Sequence, residues 1–400
     1  MLSFNPYKSN CSGCAACYSI CPKKCISMVS DEEGFDYPML SSPDTCINCK
    51  LCEKVCPAEI ALPVKVKQLA YAAVSNQYSI WHRSASGGAF SEICRAWGDE
   101  HTLVVGAAWN GLYVHHIGII GVNNIIPLCN SKYVSSHIDD TFIEIREFLK
   151  HGSVIFCGTP CQVSGLRAFL RKNYDNLLTI DLICHGVGSP KVFEACTKAI
   201  SKQAGKQLIS YSFRAKRRIH ETDHLALLNF GSDSQYVIQD QYIQLFLKQT
   251  CLRPSCGQNC KYRGRDKRPG DFTIADFKGL ATVFPDLLGA KRNYSTIVAN
   301  SEKALSLIPR LNKRMEMRLV SIDDIIRFNP LFDKHTWFSE DRDKFFEEFI
   351  HDEDGTIERY TRHYMPHKVS FKGLVFNYLP VFIRRQFLRK QYFVKKLKLI

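Results

Sequence analysis

No stretch of this 400-residue chain reaches the roughly 18–20 consecutive apolar residues that cross a bilayer, so a transmembrane helix is not expected. The first ten residues, MLSFNPYKSN, lack the apolar core of a secretion signal, which predicts a protein of the reducing cytoplasm. Disulfides are scarce there, so the 18 cysteines are expected to bind metals or do redox chemistry. Hydrophobic residues at 45% and charged residues at 23% exclude a disordered chain.

Charge of one sign is missing in places. Residues 361–400 contain 10 Lys/Arg and neither Asp nor Glu. Residues 1–60 carry a local charge of −2, so with a total of +14 the rest of the chain carries +16. An acidic segment joined to a basic body predicts that the body meets an anion, whether a phosphorylated coenzyme, a nucleic acid or an acidic membrane surface.

What the chain does have is an internal repeat. Cys11, Cys14, Cys17 and Cys21 precede Pro22, while Cys46, Cys49, Cys52 and Cys56 precede Pro57, each cysteine 35 residues after its counterpart. Both runs read C-x2-C-x2-C-x3-C-P, the spacing of bacterial two-cluster ferredoxins. Three thiolates on a short loop hold three irons of one cube, and the fourth reaches the other cube. The pattern therefore assigns Cys11, Cys14, Cys17 and Cys56 to one 4Fe-4S cluster, and Cys46, Cys49, Cys52 and Cys21 to a second. Zinc sites use paired C-x2-C units with four thiolates per metal, which this arrangement does not follow. Cys25 fits neither cluster and reads as a buried bystander. The segment holding Gly34, Tyr37 and Pro38 reads as short strands and turns, and a module boundary is expected near residues 62–66, giving a dicluster domain over 1–62.

Beyond it, Leu69–Ser75 reads as a strand, and Ser84-Ala85-Ser86-Gly87-Gly88 opens a helical stretch from Ala89 to Trp97. A glycine turn at a helix start lets backbone N–H groups approach a phosphate. This one is neither a Walker loop nor G-x-G-x-x-G, and a plain serine-capped helix is the alternative. Ser153–Cys157 and Leu177–Ile183 read as buried strands flanking a helix over Gln162–Lys172, a β-α-β unit of parallel sense. Ligands of such units bind outside the carboxyl ends of the strands. Those ends present Cys157-Gly158-Thr159-Pro160-Cys161 and Cys184-His185-Gly186. A later group, Cys251, Cys256 and Cys260, leads into the basic residues Lys261, Arg263, Arg265, Lys267 and Arg268, which suit an anionic coenzyme tail or an ordinary solvated loop. Together Cys161, Cys184, Cys256 and Cys260 would supply the thiolates of a third 4Fe-4S cluster.

At these residues the chain resembles the beta subunit family of coenzyme F420 hydrogenases and dehydrogenases. The resemblance is carried by Ser84–Gly88, Ser131-Lys132-Tyr133, Cys157–Gln162 with Gly165-Leu166, Asp181–Gly186, Phe213-Arg214-Ala215-Lys216, Leu252–Cys256 and Gly270–Phe277. It implies an α+β two-cluster ferredoxin module followed, over residues 63–340, by an α/β flavin-binding domain with a partly parallel sheet. It further implies an oxidoreductase that passes electrons between a soluble hydride coenzyme, coenzyme F420 or a substitute, and the clusters by way of FAD. Ser84, Ser86, Gly87, Gly88, Lys132, Gly158, Thr159 and Gly186 would hold the cofactor, and Thr159 and His185 would serve catalysis beside the flavin. A redox partner protein or ferredoxin would exchange the electrons. The chain departs from the family at Cys256 and Cys260, which have three intervening residues where relatives have two, and at Lys278, where relatives often carry an aromatic residue.

A non-catalytic electron-transfer subunit is the alternative, or a membrane-side reductase, because many bacterial relatives look associated with surface-polysaccharide synthesis. The expected basic tail, residues 341–400, bears on the last. Val375–Ile383 is apolar, and the cations from Arg384 to Lys398 are interleaved with Phe387, Phe393 and Leu397. That composition suits peripheral contact with an anionic membrane, or packing against the body. Nucleic acid is not an expected partner.

Overall fold

The computed structural model describes residues 2, 5–58, 67–216 and 225–362. The expected boundary at 62–66 and the membrane-directed tail beyond residue 362 lie outside the described residues.

The cysteine repeat is also a backbone repeat. Gly13 and Ala15 have φ of +66° and +61°, and Asn48 and Lys50, each 35 residues later, have φ of +50° and +57°. Each left-handed pair bends a cysteine loop before a short helix, Ala16–Ile20 in the first run and Leu51–Lys54 in the second. Between the loops, β1 (Ile26–Ser30) and β2 (Asp36–Leu40) form an antiparallel hairpin with Ile26 opposite Leu40. The turn contains Gly34 at φ +83°.

The body is built on β3 (Leu69–Ser75), β4 (Leu103–Asn110), β5 (Tyr113–Ile120), β6 (Val154–Cys157) and β7 (Leu177–Leu182). A smaller sheet follows, from β8 (Ser210–Ser212), β9 (Leu225–Asn229) and β10 (Ser234–Ile238), before β11 (Phe272–Asp276), β12 (Ser295–Ala299) and β13 (Met315–Val320). Among the described residues the main sheet has the order β13-β3-β12-β11-β7-β6-β4-β5. Its centre, β11-β7-β6-β4, is parallel and its flanks are antiparallel. The fold is thus mixed α/β, with the expected parallel β-α-β unit at the middle.

Parallel strands are covered on both faces, and alternate residues divide between them. Val104 and Ile155 join a core with Ile93 of the Ala89–Trp97 helix and Leu307 of the Glu302–Asn312 helix. Val105, Val154 and Phe156 face the other way, towards Val163, Leu166 and Phe169 of the Pro160–Leu170 helix. Cys14, Ala15 and Ala16 belong to that second core, so the cysteine module is packed into the body.

Polar contacts reinforce this docking. Arg342 pairs with Glu33 at 2.6 Å, and His137 with Asp36 at 2.6 Å. The Tyr18 hydroxyl donates to Asp140 at 2.9 Å. Residues 342–360, read from sequence as part of the basic tail, pack into the body. Arg342–His351 and Glu353–Tyr360 are helices whose Phe345, Phe349 and Ile357 share a core with Phe193 and Tyr242. Among the described residues no helix is long and apolar enough to cross a membrane.

Candidate functional site

The helix after β6 runs over Pro160–Leu170, starting two residues before the expected Gln162. Thr159 is the N-cap, Pro160 holds the first helical position, and Gln162 completes a capping box by accepting from the Thr159 N–H at 2.9 Å. This places Cys161 in the first turn, with its Sγ 3.0 Å from Thr159 Oγ1. Cys184 lies just past β7. Cys256 and Cys260 bracket a one-turn 3-10 segment, Gly257–Asn259, in which Gly257 has φ +58°.

These four cysteines meet. They line one cavity of about 210 Å³, shared with Thr159, Gly186, Arg253, Tyr262, Arg263 and Arg268. Burial pushes the Cys184 thiol up to about 12, against the pull of Arg263. Burial likewise raises Cys161 and Cys256, and each of the two has the Cys260 sulfur among its electrostatic neighbours. Half-buried, clustered thiols resist ionisation unless a cation holds them.

The basic stretch is only partly a solvated loop. Arg263 is buried and donates to Leu331 O at 2.7 Å and His185 O at 3.2 Å. Arg268 is buried, donates to Leu182 O and Phe332 O, and stacks on the Phe332 ring. Lys261 donates to Pro57 O, back on the cysteine module. Arg265 is exposed and pairs with Asp323. The Nε atoms of Arg263 and Arg268 are buried without a hydrogen-bond partner among the described residues. Buried donors beside four thiols fit an anionic inorganic group, because a 4Fe-4S cube with four thiolates carries net negative charge.

Cys56 of the second run lies near Cys14 and Cys17 of the first. Cys14 is pushed up to about 12 by burial, and Cys11, Cys161 and Cys56 are the sulfurs nearest it electrostatically. Cys17 is raised by burial and by Cys14, Cys11 and Cys56. Cys21 Sγ lies 3.3 Å from Cys25 Sγ, and Cys25 in turn neighbours Cys46. Among the described residues no three His, Cys, Asp or Glu side chains are close enough to hold a single metal ion. In a cube each thiolate grips its own iron, so wider spacing suffices. Cys49 is exposed, whereas Cys11, Cys14 and Cys56 are buried.

The two thiol-rich regions touch. A Cβ on Gly165, in the Cys161 helix, would lie 2.8 Å from Cys14 Cβ and 2.9 Å from its Sγ. Tyr262 is buried near Cys161, Cys14 and Cys260.

The remaining expected residues are distributed less uniformly. Ser86 donates to Tyr294 O at 2.8 Å, and the Gly87 N–H donates to Ser295 Oγ at 2.8 Å, so both are engaged with the sheet. Gly87 is required by close approach, since its Cβ would lie 2.2 Å from Ala73 O. The Ser84 hydroxyl donates to Ile80 O, and Gly88 is the N-cap of the Ala89–Trp97 helix. Arg214 joins this turn to the cavity side, donating to Ala85 O, Tyr133 Oη and the Asp276 carboxylate. Tyr133 stacks on Phe246, which packs against His185. Lys132 donates to Cys129 O at 2.8 Å and Pro127 O at 3.1 Å. Its ammonium is driven down to about 8 by burial. Gly186, at φ +144°, sits against Leu252, and Gly158 sits against Phe156 and Gln162.

Sequence reasoning missed two buried groups. His116 contacts Ser136 through Nδ1 and Cys157 O through Nε2, and burial lowers it to about 4, so it is neutral. Arg253 is buried beside the cavity within a matched segment, yet nothing in LRPSC distinguishes a buried arginine from a surface one.

Comparison with known proteins gives matches to both regions. Residues 151–325 match the family described as the C terminus of the coenzyme F420 hydrogenase/dehydrogenase beta subunit. Residues 10–60 match the 4Fe-4S dicluster domain. An uncharacterized ferredoxin of Methanocaldococcus jannaschii is 37% identical over 60 residues, which is 15% of this chain and 75% of that protein. A chain from the F420-reducing [NiFe] hydrogenase complex of Methanosarcina barkeri superposes with a TM-score of 0.45 at 14% identity, covering 68% of this chain and 90% of that one.

Proposed function

Because the chain belongs to the coenzyme F420 hydrogenase/dehydrogenase beta subunit family, with a 4Fe-4S dicluster domain at its N-terminal end, we propose that it is an iron–sulfur flavoprotein oxidoreductase with three clusters. One observation carries this reading. Cys161, Cys184, Cys256 and Cys260, drawn from three separate segments, line a single cavity next to Cys14 of the dicluster domain.

FAD, when bound, would accept or give a hydride as an electron pair and exchange single electrons with the clusters. The half-buried Lys132 ammonium, bonded to two carbonyl oxygens, fits an anionic group such as a cofactor phosphate. Ser84, Gly88, Gly158 and Gly186 would line that cofactor's path with Ser86 and Gly87 supporting the turn, and Thr159 and His185 would face its reactive part. Thr159 also holds the helix start that aims Cys161. Arg263 and Arg268 would balance the thiolates and keep water from them. Electrons would leave where Cys49 is exposed, towards a redox partner protein. Coenzyme F420 or a related hydride carrier is the proposed second substrate.

The test is the content of iron, acid-labile sulfide and flavin per chain after anaerobic purification. About twelve iron with one FAD is expected, at four iron per cube. About eight iron without flavin would reduce the body to a docking domain for a partner enzyme.

A further inference from the structure

Arginine stays charged at any physiological pH and is rarely buried without a partner anion. Arg253 nevertheless retains only 1% of its surface. Its Nε donates to Cys11 O at 2.9 Å and its Nη2 to Asp36 O at 2.7 Å. The guanidinium lies 4.3 Å from the centre of the Tyr37 ring. The Asp36 carboxylate pairs with His137 instead, and none of the described carboxylates forms an ion pair with Arg253.

The position of this charge is informative. Arg253 lines the cavity of Cys161, Cys184, Cys256 and Cys260, and its carbonyl accepts from the Cys256 N–H at 2.9 Å. Its other end lies in the first cysteine loop, where a Cβ on Gly13 would be 2.7 Å from Nη1. One cation therefore stands between two thiol quartets, and two carbonyl bonds hold them together.

We propose that Arg253 is a positioning residue shared by two iron–sulfur sites, setting their separation and raising the reduction potential of both. This rests on the three-cluster reading given above. When one electron moves from one site to the other, no bond forms and no proton moves. The donor's net charge rises by one and the acceptor's falls by one. A cation between them favours the more negative, reduced form on either side. It does not choose a direction, but it holds the electron between these two sites against escape elsewhere.

The experiment is an anaerobic redox titration followed by electron paramagnetic resonance, with iron counted in the same samples, for native protein, Arg253→Gln and Arg253→Lys. In Arg253→Gln, twelve iron with both potentials lowered by about tenfold in the redox equilibrium, 59 mV for one electron, is the expected result. Arg253→Lys keeps the charge and should hold both potentials within about twofold of native. Unchanged potentials in the Gln variant, or a shift at one site alone, would overturn the proposal. If the Gln variant loses iron, Arg253→Lys decides. Iron loss there too would make Arg253 an architectural strut and refute the tuning role. Native protein with only eight iron overturns the three-cluster reading itself, before any variant is compared.

Discussion

A methyl group placed on Gly165 tests the contact that joins the two thiol-rich regions. Gly165 is inside the Pro160–Leu170 helix, where alanine is favoured over glycine by about 1 kcal/mol. A Cβ there would lie 2.8 Å from Cys14 Cβ and 2.9 Å from Cys14 Sγ. Carbon atoms pack at about 3.5–4.0 Å, so the Cys14 loop or the helix would have to retreat by most of an ångström. Overpacking of this kind costs about 1–3 kcal/mol. The expected balance for Gly165→Ala is a loss of about 0–2 kcal/mol, opposite in sign to helix propensity. The displacement should also fall on the cluster proposed for Cys14 and leave the one proposed for Cys46, Cys49 and Cys52 alone. Anaerobic urea unfolding, followed by far-ultraviolet circular dichroism and by the visible thiolate-to-iron absorbance, measures the first effect. Paramagnetic resonance of the reduced clusters measures the second. An alanine variant about 1 kcal/mol more stable than native, with unchanged spectra, would refute the close contact.

The His137–Asp36 pair should make docking of the cysteine module pH-dependent. The hydrogen bond that His137 donates to the Asp36 carboxylate raises His137 above its ordinary value, despite burial. Burial opposes ionisation of Asp36, but the bonds from His137 and Ser30 outweigh it and lower the carboxyl. Stability from the pair is fully present below the unfolded histidine value of about 6.5 and fades as pH rises through the raised one. On the acid side it is lost as pH falls through the lowered carboxyl value. The urea midpoint should therefore fall between neutral and mildly alkaline pH in native protein but not in His137→Asn, and identical profiles would remove the pair from the argument. Cys25→Ala should retain all the iron of the dicluster domain and lower the potential of the cluster proposed for Cys21, since the sulfur–sulfur hydrogen bond at 3.3 Å is lost. Loss of about four iron would instead make Cys25 a ligand.

The chemistry-bearing segments were legible because their signals are local. A repeat of 35 residues is a one-dimensional fact, and it reappears as matching left-handed residues at Gly13 and Asn48 and at Ala15 and Lys50. The strand over Leu69–Ser75 and the helix over Ala89–Trp97 have the bounds expected from apolar patterning. The helix expected over Gln162–Lys172 is present as Pro160–Leu170, displaced by two residues because Thr159 and Pro160 cap its start.

The tertiary structure decided what those segments do to one another. Cys161 and Cys256 are separated by 95 positions, and no local preference encodes their meeting; the parallel pairing of β6 with β7 and the return of the later loop bring it about. The helices within Arg342–Tyr360 follow the same rule, since their charges read as the start of a tail while their phenylalanines face a core formed elsewhere. Arg253 is the clearest case. The sequence determined that a permanent cation stands three residues before Cys256. Only packing determined that this cation is dry, bonded to the Cys11 carbonyl and placed between two sets of thiols. A charge acquires its energetic weight from its surroundings, and surroundings are set by contacts distant in sequence.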